Sequence, residues 1–458
     1  MKLKIFQPAL LIILLVLFTG CKKYLDEKSN KKLVVPANLQ DVQALLDYYM
    51  RVNSNDACIG ESSADNYYIN DTDWEAIPIE GERRVYTWEK DQLIDYYPNN
   101  WAQLYDLAYI ANVALESLDK IIKTPENETA WDNVKGQALF HRARAFQQVA
   151  FHWALAYDAE TSKNDPGIPL RLDPDFNKTS IRSSVEQTYA QVTTDLKTAS
   201  SILPDLPAHV MRPSKAAAFG LLARNYLAMR KYDMAGAYAD SLLRIKNILL
   251  DFNAPEVKIA AQFPFASLMY DNPEIIFESR MLLARTINPA IAKIDSVLYN
   301  SYQGNDLRKT IFFQSNGNGT YRYRGSYEGN STLFSGVSTS EALLIRAECL
   351  ARQGKSSDAI RDINTLLLKR WKVGTFSPYN PGSPLEALRI ILDERRKELV
   401  MKGLRWIDLK RLNKDGANIT LYRKLKGKTY VLPANDLRYA LAIPEDVIEM
   451  SGMAQNPR

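Results

Sequence analysis

The chain has 458 residues, of which 58 are Lys or Arg and 53 are Asp or Glu, and its formal charge is +5. A charge this close to balance, without a long stripe of basic residues, argues against nucleic-acid binding. Three cysteines are too few for a disulfide framework, and the length allows two or three domains.

The N-terminus has the order of a bacterial secretory signal. Two lysines precede an apolar run from Ala9 to Phe18, and small residues follow immediately before Cys21. The run is about half as long as the roughly 20 residues that a membrane-spanning helix needs, so we predict that it is removed. The sequence from Leu17 to Cys21 also resembles the lipobox of bacterial lipoproteins. We therefore predict a lipid on Cys21; the alternative is an ordinary signal peptide with a coincidental cysteine.

Lipid on Cys21 would hold the protein at a membrane without a transmembrane helix. Each buried methylene contributes about 0.8 kcal/mol, so several acyl chains hold firmly where one does not. The segment Lys22 to Lys32 is polar and without helical periodicity, which is typical of a tether. We thus predict a signal peptide at residues 1–20, a lipidated N-terminus and tether at 21–37, and one α-helical domain at 38–458.

A first aromatic cluster lies in the predicted loop from Asp56 to Asn100. A sugar ring offers an apolar face and a rim of hydroxyls, so aromatic side chains beside amides and carboxylates suit it. The candidate ligand-binding residues of this loop are Tyr67, Tyr68, Trp74 and Trp88. The alternative is that they cover the helical frame or contact a partner protein. Asp71-Thr72-Asp73 suggests a cation site, but it lacks the further ligands of a calcium loop.

Apolar residues at helical spacing predict a mainly α protein with long loops. The predicted helices are Val42 to Met50, Trp101 to Ile122, Val134 to Ala156, Val185 to Ile202, Lys215 to Met229, Tyr232 to Ile245, Ser340 to Gln353, Ser357 to Arg370 and Leu385 to Leu412. In the second of them we expect the aromatic residues to pack in the core. Minor β structure is predicted near the end, as a hairpin of Ile419 to Arg423 and Thr429 to Leu432.

Two segments share the residue spacing of tetratricopeptide helix pairs, near 215–245 and 340–370. Small and large residues recur at the same positions in both: Ala223, Tyr226, Ala235, Ala239 and Leu242 in the first, and Ala347, Leu350, Gly354, Ala359, Ile363 and Leu366 in the second. Arg230 replaces the glycine of the turn in the first segment. The alternative is two unrelated helical hairpins.

A second aromatic cluster lies between these pairs, in the predicted loop from Tyr302 to Ser338. Its tyrosines are accompanied by asparagines, as in the first cluster. The further candidate ligand-binding residues are Tyr302, Tyr321, Tyr323 and Tyr327.

No residues are singled out for catalysis, a metal or another cofactor. The three histidines form no metal-binding motif, and phosphate loops and nucleophile elbows are absent from the sequence. The acidic residues between Asp393 and Arg411 have basic residues at i+3 or i+4, so we expect salt bridges, including Asp393 with Lys397, Glu398 with Lys402 and Asp408 with both Arg405 and Arg411. Cys58 and Cys349 are expected as separate, partly buried thiols, the alternative being a disulfide.

Several short motifs, in order along nearly the whole chain, resemble the SusD/RagB family. They are Cys21-Lys22-Lys23-Tyr24-Leu25-Asp26-Glu27, Trp101 with Tyr105 and Ala111-Asn112, Gly136-Gln137-Ala138, Arg142-Ala143-Arg144-Ala145-Phe146, Gly167-Ile168-Pro169-Leu170, Arg212-Pro213-Ser214-Lys215-Ala216-Ala217, Glu394-Arg395-Arg396-Lys397-Glu398-Leu399, Gly403 with Arg405-Trp406, Asp408-Leu409 and Arg411, and Gln455-Asn456-Pro457-Arg458. The chain departs from the family at Lys402, where members often carry an acid.

The resemblance implies a SusD-like helical fold with tetratricopeptide-type pairs and long loop insertions. It also implies a non-enzymatic lipoprotein, lipid-anchored in the outer membrane and facing outward, which binds a glycan or another nutrient. The implied partner is a SusC-type TonB-dependent transporter, to which the ligand is delivered. Two other functions are weighed against this one: a scaffold or lid for the transporter with no ligand site, and a glycoside hydrolase, for which the sequence singles out no carboxylate pair.

Overall fold

The computed structural model describes residues 36–458, so the predicted signal peptide, Cys21 and most of the tether lie outside the described residues. Within 36–458 the helices are α1 Leu39–Leu46, α2 Tyr49–Val52, α3 Ile59–Ser63, α4 Asp71–Glu75, α5 Glu80–Tyr86, α6 Asn100–Asp119, α7 Glu128–Trp153, α8 Val185–Ile202, α9 Lys215–Ala228, α10 Tyr232–Ile245, α11 Ser296–Ser301, α12 Arg308–Ile311, α13 Thr339–Arg352, α14 Ser356–Leu368, α15 Pro384–Glu398, α16 Arg405–Lys414 and α17 Glu445–Ser451. None of these helices is long and apolar enough to span a bilayer.

The strands are short and pair two by two. They are β1 Tyr67–Tyr68, β2 Pro166–Pro169, β3 Arg182–Ser184, β4 Ile275–Phe277, β5 Lys293–Ile294, β6 Phe313–Ser315, β7 Tyr321–Tyr323, β8 Val337–Ser338, β9 Leu421–Leu425 and β10 Lys428–Leu432. All five pairs are antiparallel: β1 with β5, β2 with β3, β4 with β8, β6 with β7 and β9 with β10. The mainly α fold class is therefore confirmed.

The long helices form a continuous array, in which each packs on the next from α6 through α10 and then on to α13, α14 and α15. Their starts follow from local capping chemistry. In α9, for example, the hydroxyl of Ser214 accepts a hydrogen bond from the Ala217 amide at 3.2 Å, which satisfies a helix-end donor that has no partner within the helix. Stacked pairs of this kind bury one continuous core between neighbours.

The two predicted tetratricopeptide-type pairs are α9 with α10 and α13 with α14. The alanines at their shared positions are buried, and α10 packs on α13, so the pairs stack as neighbours. Gly354 turns the second pair at φ +77°, and Arg230 adopts φ +60° at the corresponding turn. This stacking favours repeated units over unrelated hairpins.

Four predictions about local structure need correction. The helix predicted from Val42 to Met50 falls on two helices, α1 and α2, and the loop predicted from Tyr302 to Ser338 contains α12, β6, β7 and β8. The helix predicted from Leu385 to Leu412 is two helices, α15 and α16, separated by a turn in which Met401 and Gly403 have positive φ. The loop predicted from Asp56 to Asn100 contains α3, α4, α5 and β1. The C-terminal hairpin is confirmed, and its turn at Lys426 and Gly427 is left-handed, with φ of +51° and +76°.

Cys58 and Cys349 are both free and buried, as favoured from the sequence. The Cys58 thiol lies 3.4 Å from the Oδ1 atom of Asn100. Burial raises the pKa of each thiol to about 12. Both are therefore protonated and unreactive at neutral pH.

Candidate ligand-binding site

Five of the eight aromatic side chains predicted to contact a ligand are in the protein core. The exposed fraction is 3% or less for Tyr67, Trp88, Tyr302, Tyr323 and Tyr327. This corrects the expectation for these five, because they offer no accessible ring face in this structure.

The first-loop aromatics are buried because they surround a guanidinium group from the C-terminal hairpin. The Arg423 guanidinium carbon lies 3.6 to 5.2 Å from the ring centroids of Tyr67, Tyr86 and Trp88. Its nitrogens donate hydrogen bonds to the carbonyls of Tyr86, Ser62 and Ala64. The rings thus stabilise a buried cation of the protein itself.

The second-loop tyrosines have equally specific internal contacts. Tyr302 donates to the Lys397 carbonyl at 2.8 Å, and Tyr327 donates to Glu274 Oε2 at 2.7 Å. The Tyr323 ring packs against Phe312 and Phe313. These contacts close the loop over the core below it.

The remaining three candidates stay accessible. Tyr68 is 37% exposed, and Trp74 and Tyr321 are partly buried. A residue that the sequence reasoning missed, Tyr299, stacks on Tyr321 with ring centroids 3.6 Å apart and planes at 15°. We call Tyr68, Trp74, Tyr299 and Tyr321 the aromatic surface.

Neighbouring strands hold the aromatic surface in one region. Tyr68 in β1 is opposite Lys293 in β5, and β5 contacts β7, whose first residue is Tyr321. The Lys293 ammonium also forms an ion pair with Asp73 at 2.6 Å, next to Trp74. Because these contacts join elements distant in sequence, no local pattern predicts which rings meet.

Charged groups lie beside the aromatic surface. The Lys309 ammonium lies 4.8 Å from the Tyr299 ring centroid, and the Lys293–Asp73 ion pair adjoins Tyr68 and Trp74. Burial, and then the contact with Tyr321, raises the pKa of Tyr299 to about 12. Exposed ring faces edged by such groups fit a ligand with an apolar face and a hydrogen-bonding rim.

The charged residues of α15 and α16 are structural, although most partners differ from those predicted. Asp408 pairs with Arg411 at 2.7 Å, as expected, and also with Arg395 at 2.8 Å. Three expected pairs are wrong: Asp393 lies nearest Arg389, Glu398 pairs with Arg370 and Arg308, and Arg405 pairs with Asp65. Sequence spacing identifies pairs within one helix, whereas these partners come mainly from other elements.

At the suggested cation site, Asp71-Thr72-Asp73, groups of the protein itself pair with both carboxylates. Asp73 pairs with Lys293, and Asp71 Oδ1 accepts the Lys426 amide at 2.9 Å. Throughout residues 36–458, no three His, Cys, Asp or Glu side chains are grouped to hold a metal ion.

Comparison with known proteins agrees with this helical, tetratricopeptide-containing class. A family model described as "Starch-binding associating with outer membrane" matches residues 23–227, and the model of the SusD family matches residues 289–448. The chain belongs to the SusD/RagB family. No curated protein matches it.

Solved structures share the fold over nearly the whole chain. A putative sugar binding protein from Bacteroides vulgatus is 20% identical with a TM-score of 0.75, covering 93% of this chain and 99% of its own. A SusD superfamily protein from Bacteroides thetaiotaomicron is 21% identical with a TM-score of 0.72, covering 92% and 100%. A SusD-like carbohydrate binding protein from Bacteroides fragilis is 14% identical with a TM-score of 0.68, covering 90% and 98%.

Proposed function

We propose that this protein binds a glycan at the aromatic surface and delivers it to a SusC-type TonB-dependent transporter. The observation that carries the proposal is the stacked pair of Tyr299 and Tyr321, close to the strand pair that holds Tyr68, with Lys309 beside the rings and the Lys293–Asp73 ion pair next to Trp74. The descriptions of the matching family and of similar structures as starch, sugar or carbohydrate binding support it.

The proposal includes the position of the protein in the cell. Residues 1–20 are removed, Cys21 carries the lipid, and residues 21–37 connect it to the domain at 38–458. The protein is then held on the outer face of the outer membrane, where a polymer outside the cell is accessible. The family description "associating with outer membrane" supports this placement.

The protein is proposed to be a binding protein and not an enzyme. The most deeply buried carboxylates of α15, Glu394 and Glu398, are held by Arg308 and Arg370 at 2.6 to 3.4 Å. Burial alone would raise the pKa of Glu398, but Arg370 and the other nearby cations outweigh it and lower the pKa to about 2. A glycoside hydrolase needs one carboxyl group with a raised pKa, so these residues are poorly suited to that role.

Isothermal titration calorimetry with a panel of oligosaccharides tests the proposed site. We expect Trp74→Ala and Tyr321→Ala each to weaken binding by about twofold to tenfold, because each removes an aromatic face worth about 0.5–1.5 kcal/mol beyond its buried area. Tyr48→Ala is a matched control, since Tyr48 is 54% exposed and lies outside the aromatic surface.

Two outcomes would contradict the proposal in different ways. A panel in which no oligosaccharide binds would favour the scaffold without a ligand site. Binding that both substitutions leave unchanged would move the glycan site away from the aromatic surface. Equal weakening by Tyr48→Ala would show a general effect on the fold.

A further inference from the structure

A cavity of about 280 Å³ is formed by α6, the segment between β2 and β3, and residues 447–453 near the C-terminus. Four of the residues that line it have aromatic rings: Trp101, Tyr105, Tyr109 and Phe176. The members of the aromatic surface belong to other elements, so this cavity is a separate site. An apolar cavity of about 150 Å³ holds one benzene molecule, so this cavity has room for a single ring with substituents.

The helix α6 supplies three of the four rings. Trp101, Tyr105 and Tyr109 are four residues apart in this helix, so their side chains are neighbours on one face. Trp101 is 5% exposed, and its ring centroid lies 4.9 Å from that of Tyr105, so packing fixes this part of the wall. Tyr109 is 42% exposed, so a ligand in the cavity can reach its ring.

Phe176 supplies a second accessible ring from the segment between β2 and β3. It is 82% exposed, yet hydrogen bonds hold the chain on both sides of it. The Arg171 guanidinium donates to the carbonyls of Asp175 and Lys178, and the Asn112 amide in α6 donates to the Arg171 carbonyl at 2.7 Å. Backbone contacts thus hold the ring at the cavity, so little conformational freedom is lost when a ligand packs against it.

Polar groups in the wall already have partners within the protein. The Tyr105 hydroxyl donates to the Pro169 carbonyl at 2.8 Å. One carboxylate oxygen of Asp173 accepts from the Lys178 ammonium at 2.8 Å, and the other accepts from the Asp175 amide at 3.0 Å. A sugar ring needs hydrogen-bonding groups around its hydroxyls, and these groups are engaged. The cavity therefore suits a flatter and less polar ligand than the aromatic surface does.

We propose that this cavity binds a small aromatic compound with a single six-membered ring, of the substituted phenol class. The ligand ring packs against the accessible rings of Tyr109 and Phe176. Aromatic rings attract one another in offset-stacked and edge-to-face arrangements, and this attraction adds to the effect of the buried area. A saturated ring of the same size gains only from burial. The site does not depend on the proposed glycan site.

The probes are p-cresol and 4-methylcyclohexanol, which share a carbon skeleton although only the first is flat and aromatic. Calorimetry and ligand-observed NMR with the folded protein measure their affinities. We expect p-cresol to bind about twofold to tenfold more tightly than 4-methylcyclohexanol. Phe176→Leu and Tyr109→Leu keep an apolar side chain and remove the ring, so each should weaken p-cresol binding by about twofold to tenfold. Both side chains are exposed, so the fold should be unchanged.

Tyr422→Leu is the matched control. Tyr422 is 66% exposed and lies in β9, away from the residues that line the cavity, so this substitution should leave p-cresol affinity unchanged. Tyr321→Ala should also leave it unchanged, which separates this proposal from the glycan site. The proposal would be overturned if p-cresol did not bind, or bound no better than 4-methylcyclohexanol. Wild-type p-cresol affinity in both Phe176→Leu and Tyr109→Leu, or equal weakening by Tyr422→Leu or Tyr321→Ala, would also overturn it.

Discussion

At the scale of single residues, two buried lysines show how neighbouring groups change the free energy needed to keep a buried ammonium protonated. Lys402 lies 3.9 Å from the Tyr327 ring centroid, and Glu398 and Glu274 partly offset the effect of burial on its pKa. Lys410 has two backbone carbonyls and no carboxylate, and its pKa falls to about 7. The lysine that departs from the family pattern at 402 therefore belongs to a charge-balanced cluster, whereas Lys410 does not.

The low pKa of Lys410 predicts a characteristic dependence of stability on pH. An unfolded lysine titrates near 10.4, so between about pH 7 and 10 the unfolded chain holds a proton that the folded chain lacks. Rising pH therefore favours the folded state across this window, and below pH 7 the effect ends because both states are protonated. The free energy of unfolding should rise by up to about 1.4 kcal/mol per pH unit from this residue.

Urea unfolding of the wild type and of Lys410→Met at pH 7, 8 and 9 measures this effect. The difference in unfolding free energy between the two proteins cancels the groups that titrate in both. We expect it to shift in favour of the wild type as the pH rises. A difference that stays constant would mean that Lys410 keeps its proton in the folded protein.

At the scale of elements, the break between α15 and α16 organises the region around α3. The Gly403 amide donates to Glu61 Oε2 at 3.0 Å, and Arg405 forms an ion pair with Asp65 at 2.7 Å. A single straight helix would carry α16 away from both contacts. The chain thus loses helical hydrogen bonds at the break and gains contacts with the residues around α3.

Gly403→Ala should destabilise the protein by about 1–3 kcal/mol. Gly403 has φ +76°, which costs an alanine about 1–2 kcal/mol, and an added Cβ would lie 3.0 Å from Met281 Sδ. Gly416→Ala separates the two effects, because Gly416 has φ +88° but open space around it. Chemical denaturation should show a larger loss for Gly403→Ala; equal losses would leave the Met281 contact without effect.

At the scale of the whole molecule, contacts join parts of the described residues that are distant in sequence. Arg423 near the end of the chain donates to the carbonyls of Ser62 and Ala64. Asn456 donates to the carbonyls of Trp153 at 2.8 Å and Leu441 at 2.7 Å. These contacts hold the first and last segments of the described residues together.

The proposed anchor leads to a prediction for the whole protein. Cys21→Ser should move the protein from the membrane fraction to the soluble fraction, because the acyl chains are its only proposed attachment apart from the transporter. Cys58→Ser is the matched control, since Cys58 is buried in the folded domain. Membrane fractionation followed by immunoblotting measures the distribution. A Cys21→Ser protein that remains with the membrane in cells lacking the transporter would contradict the anchor.

The helical frame was predictable from the sequence because helical periodicity is a local property. Val185–Ile202 and Tyr232–Ile245 have the bounds that their apolar spacing predicts. The orientation of aromatic residues in the loops was not predictable in this way. Tyr67 is buried and Tyr68 is exposed because adjacent residues of strand β1 point to opposite faces. Which face is buried depends on distant contacts, such as that of Tyr67 with Arg423, more than 350 positions later.

The long-range contacts of Arg423 and Asn456 also affect the order in which the protein folds during synthesis. A chain is synthesised from its N-terminus, and the helical array can begin to form from neighbouring segments. The rings of Tyr67, Tyr86 and Trp88 surround the Arg423 guanidinium, and this cation is missing until β9 has been synthesised. Maturation of the region that carries Tyr68 and Trp74 therefore waits for the last tenth of the chain, and a prematurely terminated product would expose the rings that the complete protein conceals.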